Sequence, residues 1–573
     1  MTRRARALTA LAVAVAALGL PAAAGAHAYL VRTVPAASAT VNTPPRLLSL
    51  TYDEAVEPRF AIVSVTDADG TQHTAGSPRR SAADPDTLEI PLRGIREGWY
   101  LVYWRAISVD GHPVRGAFTF AVGPNAGPAP QFPVPSVSET AATPGLVVAR
   151  WISFLALMTS LGLLALRLGI ARPLVRRVEG TRLRAVSIAY LVACVVALVA
   201  IPLYVLAATA DFALRSIFDV GALVPLLHVS AFGRGYLYLE LCFALFALTG
   251  SIALWLDRPE RPRRSVAELV SLGGVVLAAA AVLLVPGLAG HPAETSPRGV
   301  SLLLDWVHLV TGSLWIGGLV GLLVVWRSLP AARRVAGLAV AVPRFSRVAL
   351  VSVTLLAASG VGASVVHLPT LGSLWQTSYG KAILVKVALL GVAVCLAAVN
   401  LLRTRPGLVA GGEAAAGAAR LLRRLVAGEV LLVAGAIAVA AVLTSLPPPP
   451  PSLARIGHAN ATVGPGLADE VVTMDGYRFA FRFSPNRAAV PNTFSVRVTR
   501  GGVPVRHLQI LLAFDMLDME MPQQRYALAE TAPGVYSRAA PALVMVGHWG
   551  LSFEITPPGR PPLSLLIIDK ANG

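Results

Sequence analysis

At 573 residues the chain is long enough for several domains, but with 55% hydrophobic and only 14% charged residues it is far too apolar for an ordinary soluble protein, in which about 25% are charged. A net charge of +18 would suit a nucleic-acid partner, yet the arginines concentrate in alternate loops between apolar stretches, which is a topology signal instead. Cys194, Cys242 and Cys395 all fall in apolar stretches with no CxxC pair, so disulfide scaffolds and thiol exchange are excluded, and no GxxxxGK phosphate loop suggests ATP as a partner.

Residues 1–26 read as a secretory signal peptide. Arg3, Arg4 and Arg6 make a basic start, Leu8 to Leu20 an apolar core too short to span comfortably, and Ala24-Gly25-Ala26 a small-residue cleavage site. Cleavage there makes His27 the first mature residue, whose α-amine and imidazole can chelate one metal ion. An uncleaved anchor would leave His27 as an ordinary internal residue.

Residues 27–122 alternate in the manner of strands, at Leu47–Tyr52, Ala61–Val65, Trp99–Trp104 and Gly116–Val122. Turns at Asp67–Gly70 and Asp110–Pro113 punctuate them, and a small extracytoplasmic β-sandwich is expected. Asp110 and His112, spaced i and i+2 at a turn, supply further ligands beside His27. An amine, two imidazoles and a carboxylate suit tetragonal Cu(II), and this module has no methionine or cysteine to favour Cu(I). A DGH tripeptide alone is also a common structural turn.

His27-Ala28-Tyr29-Leu30 with Pro35-Ala36, the strand Leu50-Thr51-Tyr52, and Tyr103 to Pro113 leading into Gly116–Phe120 together resemble the CopC family of exported copper-binding proteins. That resemblance implies a Cu(II) site at His27, Asp110 and His112, with no counterpart of the methionine-rich Cu(I) site of some members.

A Gly/Pro/Ser-rich linker covers 123–144, and an eight-helix membrane bundle is expected over 145–446, with spans near 145–166, 185–210, 235–256, 267–289, 301–326, 346–367, 381–402 and 425–446. The arginine-rich loops include Arg172, Arg176 and Arg177, then Arg258 to Arg264, then Arg327 to Arg347, then Arg403 to Arg424. They belong in the cytoplasm, so both termini are extracytoplasmic at a plasma membrane. His228, His291, His308 and His367 then lie on the outer side. Asp305 and His308 share one helical face, where a carboxylate orienting an imidazole is a common device. An ion path through His291, Asp305, His308 and His367 is the expectation, against solvated loop and interfacial histidines as the plainer alternative.

Asp305-Trp306-Val307-His308, Gly312 to Gly318, Arg344-Phe345-Ser346, Ser359-Gly360, and Thr377 to Lys381 with Lys386 and Asn400 look like the CopD family of copper-resistance membrane proteins. The resemblance implies copper movement or handling at the membrane.

A polyproline spacer at 447–457 leads to a second extracytoplasmic β-domain over 458–573, with strands at Tyr477–Phe483, Thr493–Val498 and Leu551–Ile555. Met516, Met519 and Met521 cluster in one segment, and Met545 and His548 belong to a later strand that could pair beside it. Soft thioethers prefer Cu(I), so Met519, Met521, Met545 and His548 form a candidate Cu(I) site, with core packing as the alternative. Met516 to Pro522, Gly534-Val535-Tyr536 and Val544 to Trp549 resemble the YtkA-like domain.

The fold class is therefore mixed, an eight-span α-helical bundle flanked by two β-sandwich domains. Import of copper captured outside is the expected function. A reduction step is required if softer ligands receive the ion, and no reductase motif is visible. Alternatives are sequestration for resistance, or delivery to copper chaperones or cuproenzymes without transport. An enzyme is not expected, although copper monooxygenases also hold copper with a terminal histidine.

Overall fold

Alternation of apolar and polar residues from Leu48 to Tyr52 puts Leu48, Leu50 and Tyr52 on one buried face, as a half-buried strand requires. The computed structural model describes residues 30–572 apart from 38, 53–55, 108–112, 127–129, 131–142, 214–215, 230, 289, 294, 411, 447–448, 450–451, 456–458, 518–522 and 545. In the first β-domain one sheet orders β1 (Leu30–Val34), β3 (Leu47–Tyr52), β6 (Thr87–Pro91) and β5 (Arg79–Arg80). The other orders β2 (Thr40–Val41), β8 (Pro113–Val122), β7 (Gly98–Ile107) and β4 (Ile62–Asp67). Their inner faces share a core that includes Leu50, Val65, Ile90, Val102 and Phe120. Gly70 takes a φ of 80° at the Asp67–Gly70 turn, a backbone conformation that disfavours any residue with a Cβ.

Among the described residues eight helices are long and apolar enough to cross a membrane. They are α1 (Pro144–Ala165), α2 (Arg184–Ala213), α3 (Ala231–Leu256), α4 (Val266–Leu288), α5 (Arg298–Ser328), α6 (Arg334–His367), α7 (Ser378–Val399) and α8 (Gly412–Leu443). Several run past the expected spans. Arg334, Arg344 and Arg347, read as loop residues, stand on the first turns of α6, and Arg420, Arg423 and Arg424 on those of α8. Hydropathy marks only the apolar part of a helix, and the backbone continues into its charged turns. A further helix, Val220–Val229, lies between α2 and α3. All three cysteines are free and within spans.

The tightest helix contact joins α1 and α5. A Cβ on Gly162 would stand 2.0 Å from the Ser313 carbonyl oxygen, and one on Gly317 would stand 2.4 Å from the Gly162 Cα. Small residues let helix backbones touch where lipid gives no hydrophobic drive to associate. Beyond α1 the chain makes a π-turn, Leu166–Ala171, and there Arg167 donates to Asp257 at 2.8 Å. Arg172 bonds the other Asp257 oxygen at 2.9 Å and reaches Glu268 at 3.4 Å. All four side chains are buried. Two arginines thus share two carboxylates and tie α1, α3 and α4 together.

The C-terminal domain is one ten-stranded sheet. Its strands are β9 (Ala461–Val463), β10 (Ala468–Met474), β11 (Tyr477–Ser484), β12 (Asn492–Arg500), β13 (Val503–Pro504), β14 (Gln509–Met516), β15 (Gln524–Ala532), β16 (Val535–Ala540), β17 (Gly547–Thr556) and β18 (Leu563–Ala571). The sheet folds over, so that Phe481 of β11 meets Phe553 of β17 with ring centroids 4.7 Å apart. The two β-domains form one compact unit, and the membrane helices form another. Within the β unit, Thr119 Oγ1 on β8 donates to the Ala489 carbonyl at 2.9 Å, and Leu101, Ala117 and Ala489 make a small apolar cluster.

Asp569 on β18 is fully buried. One oxygen accepts from Asn486 at 2.8 Å and the other has no partner, and burial pushes its carboxyl up to about 6. The folded state therefore favours the protonated acid, and the associated stabilisation is lost as pH rises through about 6. Asp569→Asn is expected to slow amide hydrogen exchange along β18 at pH 8 relative to the parent chain and to change little at pH 4. Asp257→Asn removes the anion shared by two buried arginines, and a loss of about 3–5 kcal/mol should appear as a lower thermal unfolding midpoint in detergent micelles.

Candidate metal centre

His27, Asp110, His112, Met519, Met521 and Met545 lie outside the described residues. The strands that lead to the first three are described. Leu30 pairs with Tyr52 across β1 and β3, and Ile107 pairs with Pro113 across β7 and β8. The Tyr52 and Trp104 rings meet edge-on at 5.6 Å between the two sheets. Leu30 and the Ile107–Pro113 pair are thereby brought to one end of the sandwich. The Tyr52 hydroxyl is buried there, with no hydrogen-bond partner among the described residues.

In the C-terminal domain the described end of the methionine segment pairs with the strand that carries His548. Met516 of β14 stands opposite Trp549 of β17, and the Leu517 amide donates to the His548 carbonyl at 2.8 Å. Met516 itself is buried in the hydrophobic core.

The membrane bundle holds the described polar cluster. His308 is on α5. Its Nδ1 lies 3.2 Å from Ser359 Oγ on α6, and its Nε2 lies 3.2 Å from Lys386 Nζ on α7. Ser359 Oγ donates its single proton to the Leu356 carbonyl at 3.1 Å, so toward His308 it accepts. Nδ1 therefore carries the imidazole proton, and the Nε2 lone pair receives the lysine.

Two glycines make the room. A Cβ on Gly360 of α6 would sit 3.4 Å from His308 Cε1, and one on Gly287 of α4 would sit 2.9 Å from Asp305 Oδ2. Asp305 lies within electrostatic reach of Lys386 and of Tyr379 at the start of α7.

This arrangement corrects the expected carboxylate–imidazole pair. Positions i and i+3 share a face, but Asp305 turns toward Gly287 on α4 while His308 turns toward α6 and α7. His308 is bonded by Ser359 and Lys386 instead. His367, at the end of α6, places Nδ1 2.8 Å from the Ala363 carbonyl and Nε2 3.3 Å from Thr295 Oγ1. His291 stands on the short turn His291–Ala293. Among the described residues no group of three or more His, Cys, Asp or Glu side chains is placed to hold a metal ion.

A second polar cluster lies between α7 and α8. Asn400 Nδ2 donates to Glu429 Oε1, and Thr404 donates to the Asn400 carbonyl at 2.6 Å. All three are buried, and Asn400–Thr404 is a π-turn, a distortion frequent at functional sites. Glu429 was missed in the sequence, although a lone carboxylate within an apolar stretch was its signal.

Comparison with known proteins follows the same order along the chain. The CopC domain model matches residues 30–123, the copper resistance protein D model residues 339–443, and the YtkA-like model residues 472–554. The CopD match takes in Ser359, His367, Lys386 and Glu429 but stops short of Asp305 and His308. The copper transport protein CutJ of Bacillus subtilis is 28% identical over 395 residues, covering 67% of this chain and 70% of that protein. Protein YobA of Escherichia coli is 35% identical over 98 residues, covering 17% of this chain and 79% of its own. Of solved structures, CopC from Methylosinus trichosporium is 29% identical, covers 18% of this chain and all of its own, and has a TM-score of 0.17.

Ser359→Ala strands the His308 Nδ1 proton in the bundle, at a cost of about 1–3 kcal/mol. A lowered unfolding midpoint is expected, whereas Thr354→Ala, whose hydroxyl bonds only its own helix at 2.9 Å, should leave the midpoint unchanged. With CopC, CopD and YtkA-like domains in that order along one chain, the protein belongs to the copper-handling CopC–CopD fusion family.

Proposed function

We propose that this multi-pass membrane protein captures Cu(II) at the outer face, through the His27 amine and imidazole with Asp110 and His112, and imports copper through the helix bundle. The observation that carries the transport reading is the Asp305, His308, Ser359 and Lys386 cluster between α5, α6 and α7. Ionisable groups inside a bilayer are costly and mark pathways far more often than anchors. A bundle that merely tethered the outer domain would gain nothing from them.

Capture supports import in two ways. An amine, imidazole and carboxylate set favours Cu(II), and His27, Asp110 and His112 adjoin in sequence the Leu30–Tyr52 and Ile107–Pro113 strand ends. The covalent link from capture domain to bundle then raises the effective copper concentration at the membrane without any new contact. Both termini are taken as extracytoplasmic, because the arginine-rich connections belong on the cytoplasmic side. The YtkA-like domain assists from the same side, with Met519, Met521, Met545 and His548 as its copper ligands. The relative's name, a copper transport protein, agrees with transport and leaves the direction to experiment.

Cell-associated copper in copper-limited medium provides the test. Deletion, His27→Ala with His112→Ala, and His308→Ala should each lower it below the parent. Higher copper on deletion would overturn import in favour of efflux or sequestration. Normal copper in the His308 variant would reduce the bundle to an anchor.

A further inference from the structure

For His308 to bind a metal ion it must offer a nitrogen lone pair, and donor accounting leaves only one. Ser359 Oγ spends its proton on the Leu356 carbonyl, so it accepts from Nδ1–H, and the lone pair of the neutral ring is at Nε2. Lys386 Nζ lies 3.2 Å from that nitrogen. The lysine comes from α7, the least buried of the eight spans, so the ammonium is brought to the ring by a flexible side chain. Asp305, which lies against Gly287 on α4, is within electrostatic reach of this charge.

We propose that Lys386 is a tethered cation that occupies the copper position at His308 Nε2, and that copper passes only by displacing it. This rests on the transport reading above and adds the competitor and the residue that releases the ion. Two cations cannot share one lone pair. An arriving copper ion therefore takes His308 Nε2 while the ammonium swings away, with no bond broken other than the Lys386 hydrogen bond. When copper moves on, the ammonium returns and closes the position behind it. The buried lone pair is thus never left without a partner, which inside a bilayer would be costly.

Lys386→Met keeps the length of the side chain and removes its charge, so it separates the roles. Removing a competitor that occupies the position roughly nine-tenths of the time should tighten copper binding about tenfold. Release should become slower. The full chain in proteoliposomes is titrated with buffered Cu(II), and binding and flux are measured for the parent, Lys386→Met, Lys386→Arg and Lys386→Met with His308→Ala. The difference between Lys386→Met and the double variant isolates the bundle position, because the other copper sites cancel. The expected result is tighter binding with lower maximal flux for Lys386→Met, loss of that extra binding in the double variant, and parent-like affinity with reduced flux for Lys386→Arg, which keeps the charge.

Unchanged binding and flux in Lys386→Met would overturn the proposal, as would loss of copper binding in that variant alongside normal binding in Lys386→Arg. If the parent chain moves no copper, the transport reading fails by itself. The binding difference still reports whether lysine and copper compete.

Discussion

A charge buried among packed helices must find its partner within the protein, and this constraint organises the bundle. Lipid is as apolar as leucine, so burying leucine between helices gains little, whereas leaving a carboxylate unpaired is costly. Asp257 meets the constraint with two arginines, Arg167 and Arg172, and the latter also reaches Glu268. That knot links α1, α3 and α4, and the close Gly162–Gly317 contact links α1 to α5. The rigid half of the bundle is built on these two devices.

The other half satisfies the same constraint with looser chemistry. His308 is neutral and bonded by a serine and a lysine. Glu429 has an asparagine amide in place of an arginine fork. A bidentate arginine–carboxylate pair is strong and geometrically fixed, whereas lysine is a point charge on a flexible stem. A structural joint benefits from partners that cannot exchange, as in the Arg167–Asp257–Arg172 knot, whereas the His308–Lys386 contact is a single hydrogen bond that rotation of the lysine side chain can break.

The sequence made the architecture legible because its signals are local. Span-length apolar runs located all eight helices, and alternation at Leu47–Tyr52 and Tyr477–Phe483 located strands whose inward faces are buried as the pattern requires. The polar site was legible only in part. Asp305 and His308 announced themselves as ionisable residues in an apolar run. Their partners did not, since Ser359 and Lys386 are 51 and 78 residues from His308 and reach it only through helix packing. The i, i+3 spacing even pointed to the wrong partner. A shared helical face fixes direction to within tens of degrees, and Gly287 on one side and Gly360 on the other were enough to send the two side chains apart.

The placement of Lys386 and Asn400 on α7 and its π-turn extends this division of labour inward. Fourteen residues apart, they lie about 21 Å from each other along a helix rising 1.5 Å per residue, and fourteen residues is close to four whole turns. One stripe of the least buried span thus carries a lysine that bonds His308 and an asparagine that bonds Glu429. Glu429, buried with the Asn400 amide as its described side-chain partner, gives that stripe a second polar contact about 21 Å from the first. The π-turn at Asn400 relaxes the helix at the same point, so the strict pairing that holds α1, α3 and α4 together gives way, along α7, to a series of exchangeable contacts.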